Sequence, residues 1–229
     1  MSKKLDILFE DNHLIAVNKR AGDLVQGDST GDISLDLHLK QYIKKKYNKP
    51  GEVFLGVVHR IDRPASGVVV FARTGKALAR MNNLFRDREV QKTYWCIVKE
   101  MPLPEEATLK HHLVKKESQN KSYAYSRTQK GTKEAILDYR LISRSDNYFL
   151  LQVHLHTGRH HQIRCQLAKI GSQIKGDLKY GYPRSNKDGS ISLHARSLEF
   201  IHPVRKEPVT IKAPVPDDPL WKALTSELI

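Results

Sequence analysis

Apolar residues fall along this chain in short runs broken by polar turns, and the spacing within each run predicts an element. Leu5–Glu10 and Leu14–Lys19 alternate as strands about an Asp11-Asn12 turn. Gly22, Gly27 and Gly31 make the next stretch a loop. Leu35, Leu39, Tyr42 and Ile43 then share one face at helical spacing, and the helix runs out in Lys44-Lys45-Lys46 before the breaker Asn48-Lys49-Pro50-Gly51. Val53–Val58 and Gly67–Ala72 are compact apolar runs of the kind found in buried strands. Thr74 is placed to cap a helix whose inner face is Leu78, Met81 and Phe85. Lys92–Lys99 reads as a strand, and Pro102–Thr132 as a polar, basic span holding a hairpin or mobile loop. Ala135–Ile142 and Tyr148–His156 alternate again around Ser145-Asp146-Asn147. Ile163, Leu167 and Ile170 mark a short helix closed by Gly171. Leu198–Ile201 and Val209–Ile211, about His202-Pro203, predict a final hairpin. Strands dominate, and the regular alternation of strand and helix in a doubly wound fold is missing.

A length of 229 residues suits one compact domain, or two subdomains sharing a continuous core. No run approaches the roughly 20 apolar residues needed to cross a bilayer, and Met1-Ser2-Lys3-Lys4-Leu5-Asp6 lacks the apolar core of a secretion signal. Two cysteines, Cys96 and Cys165, make neither a disulfide framework nor a thiolate metal site, so a reducing, cytoplasmic location is expected. Charge narrows the partner. Lys and Arg number 39 against 25 Asp and Glu, a formal net charge of +14. Such a surplus favours a polyanion, because each neutralised phosphate releases counterions. No segment joins a basic face to a strongly apolar one, so nucleic acid is favoured over a membrane surface.

Two polar segments carry candidate chemistry. His59-Arg60-Ile61-Asp62-Arg63-Pro64-Ala65-Ser66 lies between apolar strands. By itself it reads equally as a turn whose aspartate caps an amide; functionally, two flanking arginines would hold Asp62 ionised, as a base or nucleophile requires. Thr157-Gly158-Arg159-His160-His161-Gln162-Ile163-Arg164 joins a strand to a helix and suits phosphate or carboxylate binding. Its histidines, with His154 and His156, also raise a zinc site, against which stands the missing cysteine or acidic third ligand.

Together these segments resemble the motifs of the RluA-type RNA pseudouridine synthases. Asn18-Lys19-Arg20-Ala21-Gly22 and His59 through Gly67 are similar to that family's first two motifs, and Lys92-Thr93-Tyr94 to its basic-x-Tyr strand. Thr157 through Arg164 and Gly171 through Gly181 resemble its C-terminal signature, with Leu193-His194-Ala195 and Lys212-Ala213-Pro214 following in order. The chain departs from the pattern at Arg20, Ile61, Arg63-Pro64 and Cys165-Gln166. The resemblance implies an α+β pseudouridine synthase fold, a mixed but mainly antiparallel central sheet with flanking helices and a basic cleft. It implies one catalytic domain over residues 1–229, built as two subdomains on one sheet and lacking the accessory N-terminal RNA-binding domain of many relatives. It assigns Asp62 as the catalytic carboxylate, Arg164 as the arginine that pairs with it, and Tyr94 as the active-site tyrosine. Arg60 matches a residue that helps displace the flipped nucleotide, at a cost of a few kcal/mol for unstacking. His59, Arg63, Arg159, His161 and Lys19 are expected toward the RNA, with Lys44, Lys45, Lys46 and the Lys110–Lys133 span extending the track. The implied reaction needs no cofactor and no metal; the partner is a ribosomal or transfer RNA stem-loop, and a monomer without an obligate protein partner is expected. Two rival readings stand beside it: a non-catalytic RNA-binding protein, and a metal-dependent hydrolase built on the histidines.

Overall fold

The structure is a computed structural model that describes residues 4–27 and 31–228. Met1-Ser2-Lys3, read above for a secretion signal, and Asp28-Ser29-Thr30 of the glycine-rich loop lie outside the described residues. The fold class is as expected: α+β, with mostly antiparallel strands and flanking helices. The chain forms two compact units, Met1–Val90 with Ala195–Pro214, and Gln91–His194 with Val215–Ile229.

In the first unit β1 (Ile7–Glu10), β2 (Leu14–Lys19), β4 (Ser66–Ala72) and β10 (Leu193–Ile201) lie in that order, with the short β3 (Gly56–Val57) on β4 and β11 (Pro208–Lys212) on β10. Only two residues of the run Val53–Val58 pair as strand. The run Val68-Val69-Val70-Phe71-Ala72 has no polar face because both sides of the sheet are covered. Leu14, Ala16, Val68, Val70 and Ala72 pack with Ala77 and Met81 of α2 (Gly75–Arg86). Ile15, Val17, Val69 and Phe71 pack on the other side with Leu35, Leu39 and Ile43 of α1 (Leu35–Lys46). Thr74 caps α2 as expected, its hydroxyl accepting the Ala77 N–H at 3.1 Å.

The second unit is a sheet ordered β5 (Gln91–Val98), β9 (Phe149–Leu155), β8 (Lys133–Arg144), β6 (Glu106–Lys116) and β7 (Lys121–Tyr125), with every neighbour antiparallel. The polar span after Pro102 is therefore a hairpin whose first strand is 11 residues long. Trp95, Ile97 and Leu150 on one face pack with Trp221 and Leu224 of α4 (Pro219–Thr225). On the other face, Leu113 and Ala135 pack with Cys165 of α3 (Gln162–Lys169). Tyr94, Val153 and Tyr139 are cross-strand partners in one row. Tyr139 and Ala135 are an even number of residues apart on β8, so Tyr94 shares the face that α3 covers.

Candidate active site

The turn that bears Asp62 is built from beneath. Lys19 ends β2 directly opposite Gly67 at the start of β4. It is only 1% exposed. Its ammonium donates to the carbonyls of Arg20 at 2.9 Å, Asp23 at 2.9 Å and Arg63 at 3.0 Å. The Gly22 N–H reaches the same Arg63 carbonyl at 2.8 Å. One buried cation thus joins the loop after β2 to the segment before β4. This corrects the expectation that Lys19 faces RNA: a buried ammonium with hydrogen bonds in three directions positions the turn from below. Asp62 itself is half-buried, and its carbonyl accepts the Ala65 N–H at 3.0 Å, closing a tight turn. Gly67 has φ +114, and a Cβ there would lie 2.3 Å from the Ala195 carbonyl oxygen, so only glycine lets β4 approach that backbone.

Of the two arginines beside Asp62, Arg60 is exposed, while Arg63 bonds the Gly22 carbonyl at 3.0 Å and forms an ion pair with Asp32 at 2.6 Å. The expectation that both arginines flank the Asp62 carboxylate is therefore corrected for Arg63. His59 Nε2 accepts the Val70 N–H of β4 at 3.0 Å, and its ring stacks on Phe85 with centroids 4.9 Å apart. That ring fixes the entry into the turn.

In the second unit Arg164 is 4% exposed on α3 and grips a residue that the sequence did not single out. Its Nε and Nη2 donate to Asp177 at 2.7 and 2.8 Å, and Asp177 is 1% exposed. A two-pronged fork thus joins Arg164 to Asp177. A signal was available: an arginine between Ile163, Cys165 and Leu167 on a buried helix demands a nearby acid. The guanidinium also lies over the Tyr180 ring at 5.1 Å. Gln162, likewise not singled out, braces the preceding loop. Its side-chain oxygen accepts the Thr157 hydroxyl at 2.8 Å and the Arg159 N–H at 3.0 Å, and its nitrogen donates to the Ile136 carbonyl at 3.1 Å. Arg159 adds a bond from Nε to the Glu134 carbonyl at 2.9 Å.

Residues 13–169 match the model of the RNA pseudouridylate synthase family. The chain belongs to that family. It is an RNA pseudouridine synthase, an isomerase, and the matched span contains Asp62, Tyr94 and Arg164. It is 30% identical over 241 residues to tRNA pseudouridine synthase C of Vibrio cholerae, covering 97% of this chain and 95% of that one. It is 35% identical over 228 residues to ribosomal large subunit pseudouridine synthase D of Xylella fastidiosa, covering 93% of this chain and 67% of that one. The structure of human RNA pseudouridylate synthase domain containing 4 aligns with a TM-score of 0.77 at 24% identity, over 93% of this chain and 89% of that one, and shares its fold.

The four histidines of the synthase that raised a zinc site, His154, His156, His160 and His161, separate into two groups. On β9, His154 Nδ1 lies 3.3 Å from the Thr93 hydroxyl, and just beyond the strand His156 pairs with Asp138 at 2.5 Å. His160 and His161 stack on each other at 3.7 Å before α3. Among the described residues no group of three or more histidine, cysteine or acidic side chains is arranged to hold a metal ion, and none of the helices is long and apolar enough to cross a membrane. The Tyr180 hydroxyl accepts the Ser122 N–H at 2.9 Å and shares a hydrogen bond with His161 Nδ1 at 3.0 Å. Burial, then the positive charges of Arg164, His160, Lys179 and Lys115, pull the His161 pKa down to about 2. The synthase therefore carries a neutral imidazole at His161.

A pH dependence of stability follows. Because the ordinary His161 value of 6.5 lies above its folded value, the unfolded chain takes up a proton that the folded one refuses. Stability contributed here is present above pH 6.5 and is lost progressively as pH falls below it. His111 and His202, also lowered by burial, act in the same direction. Denaturant midpoints should fall between pH 7.5 and 5.5, and His161→Asn, which tolerates the left-handed backbone at that position, should flatten the decline. An unchanged slope in that variant would show that His161 takes up its proton in the folded state as well.

Proposed function

We propose that this synthase converts specific uridines of structured RNA, in a transfer or ribosomal RNA stem-loop, to pseudouridine, with Asp62 as its catalytic carboxylate and no cofactor. The reaction breaks the C1′–N1 bond, turns the base and forms C1′–C5. The hydrogen leaves C5 and N1 ends protonated, so the product is an isomer and no oxidant, reductant or hydrolysing water is consumed. What the reaction asks of the protein is an oriented carboxylate beside the ribose and base, and a pocket that admits a base extruded from its stack. The observation that carries the reading is the construction beneath Asp62: a buried lysine and a close-packed glycine fix the turn that bears this carboxylate.

In this reading Tyr94 offers a ring for the target base, and Arg164, held by Asp177, is the arginine that pairs with the Asp62 carboxylate. Arg60 occupies space near the vacated stack. Cations on the hairpin and on α1 contact phosphates, which makes binding strongly salt-dependent. Relatives named for transfer RNA and for the large ribosomal subunit both align along most of this chain. The test is a pseudouridine map of all transfer and ribosomal RNA from cells lacking the gene, complemented with wild-type or Asp62→Asn protein. One or a few sites should vanish and return only with wild type, which names the substrate; sites restored by Asp62→Asn would remove Asp62 from the chemistry.

A further inference from the structure

The Arg164 fork is made to Asp177, and the segment that carries Asp177 is well anchored. Lys175 N–H bonds the Ile97 carbonyl at 2.9 Å, Ser192 N–H bonds the Lys175 carbonyl at 2.8 Å, and Ile174 bridges to Val98. Ile97 and Val98 lie on β5, the strand that carries Tyr94. Gly176, at φ +87, then turns the chain where a Cβ would meet the Ser190 carbonyl at 2.7 Å. Asp177 follows at once, and its carbonyl accepts the N–H groups of Tyr180 at 3.1 Å and Tyr182 at 3.0 Å. The same turn delivers Tyr180, whose ring lies against the Arg164 guanidinium and whose hydroxyl ties Ser122 of β7 to His161.

We propose that Asp177 and Tyr180 are positioning residues of the synthase, which fix the plane and reach of the Arg164 guanidinium and index it to the strand bearing Tyr94. The proposal rests on the assignment of Arg164 and Asp62 above. A carboxylate receiving two parallel N–H bonds fixes both the direction and the rotation of a guanidinium, whereas a single bond leaves it free to pivot. The ring stacked on the guanidinium restricts motion out of that plane. Burial of Asp177 and Arg164 at 1% and 4% exposure keeps water from competing for either bond. A stability role alone would be served more simply by apolar residues, since a buried ion pair is seldom better than packed hydrocarbon. The pair is therefore retained for the orientation it imposes.

The experiment is single-turnover tritium release from [5-3H]uridine-labelled transcripts of the transfer RNAs and large-subunit ribosomal RNA, with RNA affinity measured in parallel. Asp177→Asn, Arg164→Met, their double variant, Tyr180→Leu and Asp62→Asn are compared after circular dichroism has shown each to be folded. Asp177→Asn should lower the rate about 30-fold through misplacement of the guanidinium, with affinity changed less than about 3-fold. In the Arg164→Met background the same change should cost nothing further, because a residue acting through Arg164 has nothing left to position. Tyr180→Leu should lower the rate about 10-fold by freeing the out-of-plane motion, and it carries the test if Asp177→Asn does not fold. A wild-type rate in a folded variant, a loss confined to affinity, or additive losses in the double variant would overturn the proposal. Full activity in Asp62→Asn would instead sink the reading beneath it, whereas an inactive Asp62→Asn beside an unimpaired Asp177→Asn sinks the positioning role alone.

Discussion

Asp62→Asn should lower the single-turnover rate by roughly 10³-fold or more while RNA affinity and folding stay close to wild type. Asparagine has the same shape and keeps the turn, because the turn's hydrogen bond uses the Asp62 backbone carbonyl and not its side chain. The Lys19 clamp below it is equally untouched, since it reaches Arg20, Asp23 and Arg63 through their carbonyls. What the substitution removes is the negative charge and one of two strong acceptor oxygens, and the proposed chemistry requires an ionised carboxylate. Tritium release and filter binding on the same protein separate the two quantities. Wild-type turnover would remove Asp62 from the chemistry, and an unfolded variant would show that the carboxylate is needed structurally.

Lys19→Met should impair both stability and rate, although the residue touches no substrate. Three carbonyls lose the ammonium, but those of Arg63 and Arg20 keep the Gly22 and Asp23 N–H groups, so the main cost is the Asp23 carbonyl, at about 1–3 kcal/mol if it is left unsatisfied. Relief from burying an ammonium offsets part of this. A net loss of about 1–2 kcal/mol is expected, which lowers the thermal midpoint by roughly 5 °C for a chain of this size. The rate should fall about 10²-fold, because the loop after β2 and the Asp62 turn are no longer joined and a displacement near 1 Å at the carboxylate is enough. Differential scanning fluorimetry and tritium release check the two parts. An unchanged midpoint would mean that the three carbonyls find water or other donors when the ammonium is gone.

Elements whose faces are cleanly divided were legible in the sequence. β2 has the expected limits, α1 and α2 follow their apolar spacing, and Thr74 caps as its position suggests. β6 was hidden because it alternates charged residues with a mixture of Leu109, His111, Leu113 and Lys115, so its inner face is only partly apolar. α4 was missed because seven residues show too little periodicity; its start is nonetheless written in Asp218-Pro219, where the Asp218 carboxylate accepts the Leu220 N–H at 2.9 Å. At the site, residue types were legible and roles less so. A lysine in a basic protein looks like a surface cation, and only the packed structure shows Lys19 buried under carbonyls. The fork of Arg164 on Asp177 was not foreseen, because Asp177 lies 13 residues away in a loop, where spacing alone selects no acid.

The division of the chain into units has a consequence for how the enzyme is made. The polypeptide passes from one unit to the other at Val90–Gln91, again at His194–Ala195 and once more at Pro214–Val215. Leu198, Phe200, Val209 and Ile211 complete a core begun by Leu14 and Ala16, and Trp221 and Leu224 complete one begun by Trp95. During vectorial synthesis from the N-terminus, each half of the molecule therefore waits for a segment that follows most of the other half in the chain. The nascent chain would emerge with its apolar strands exposed for most of elongation, a natural client for the chaperones that attend the ribosome exit.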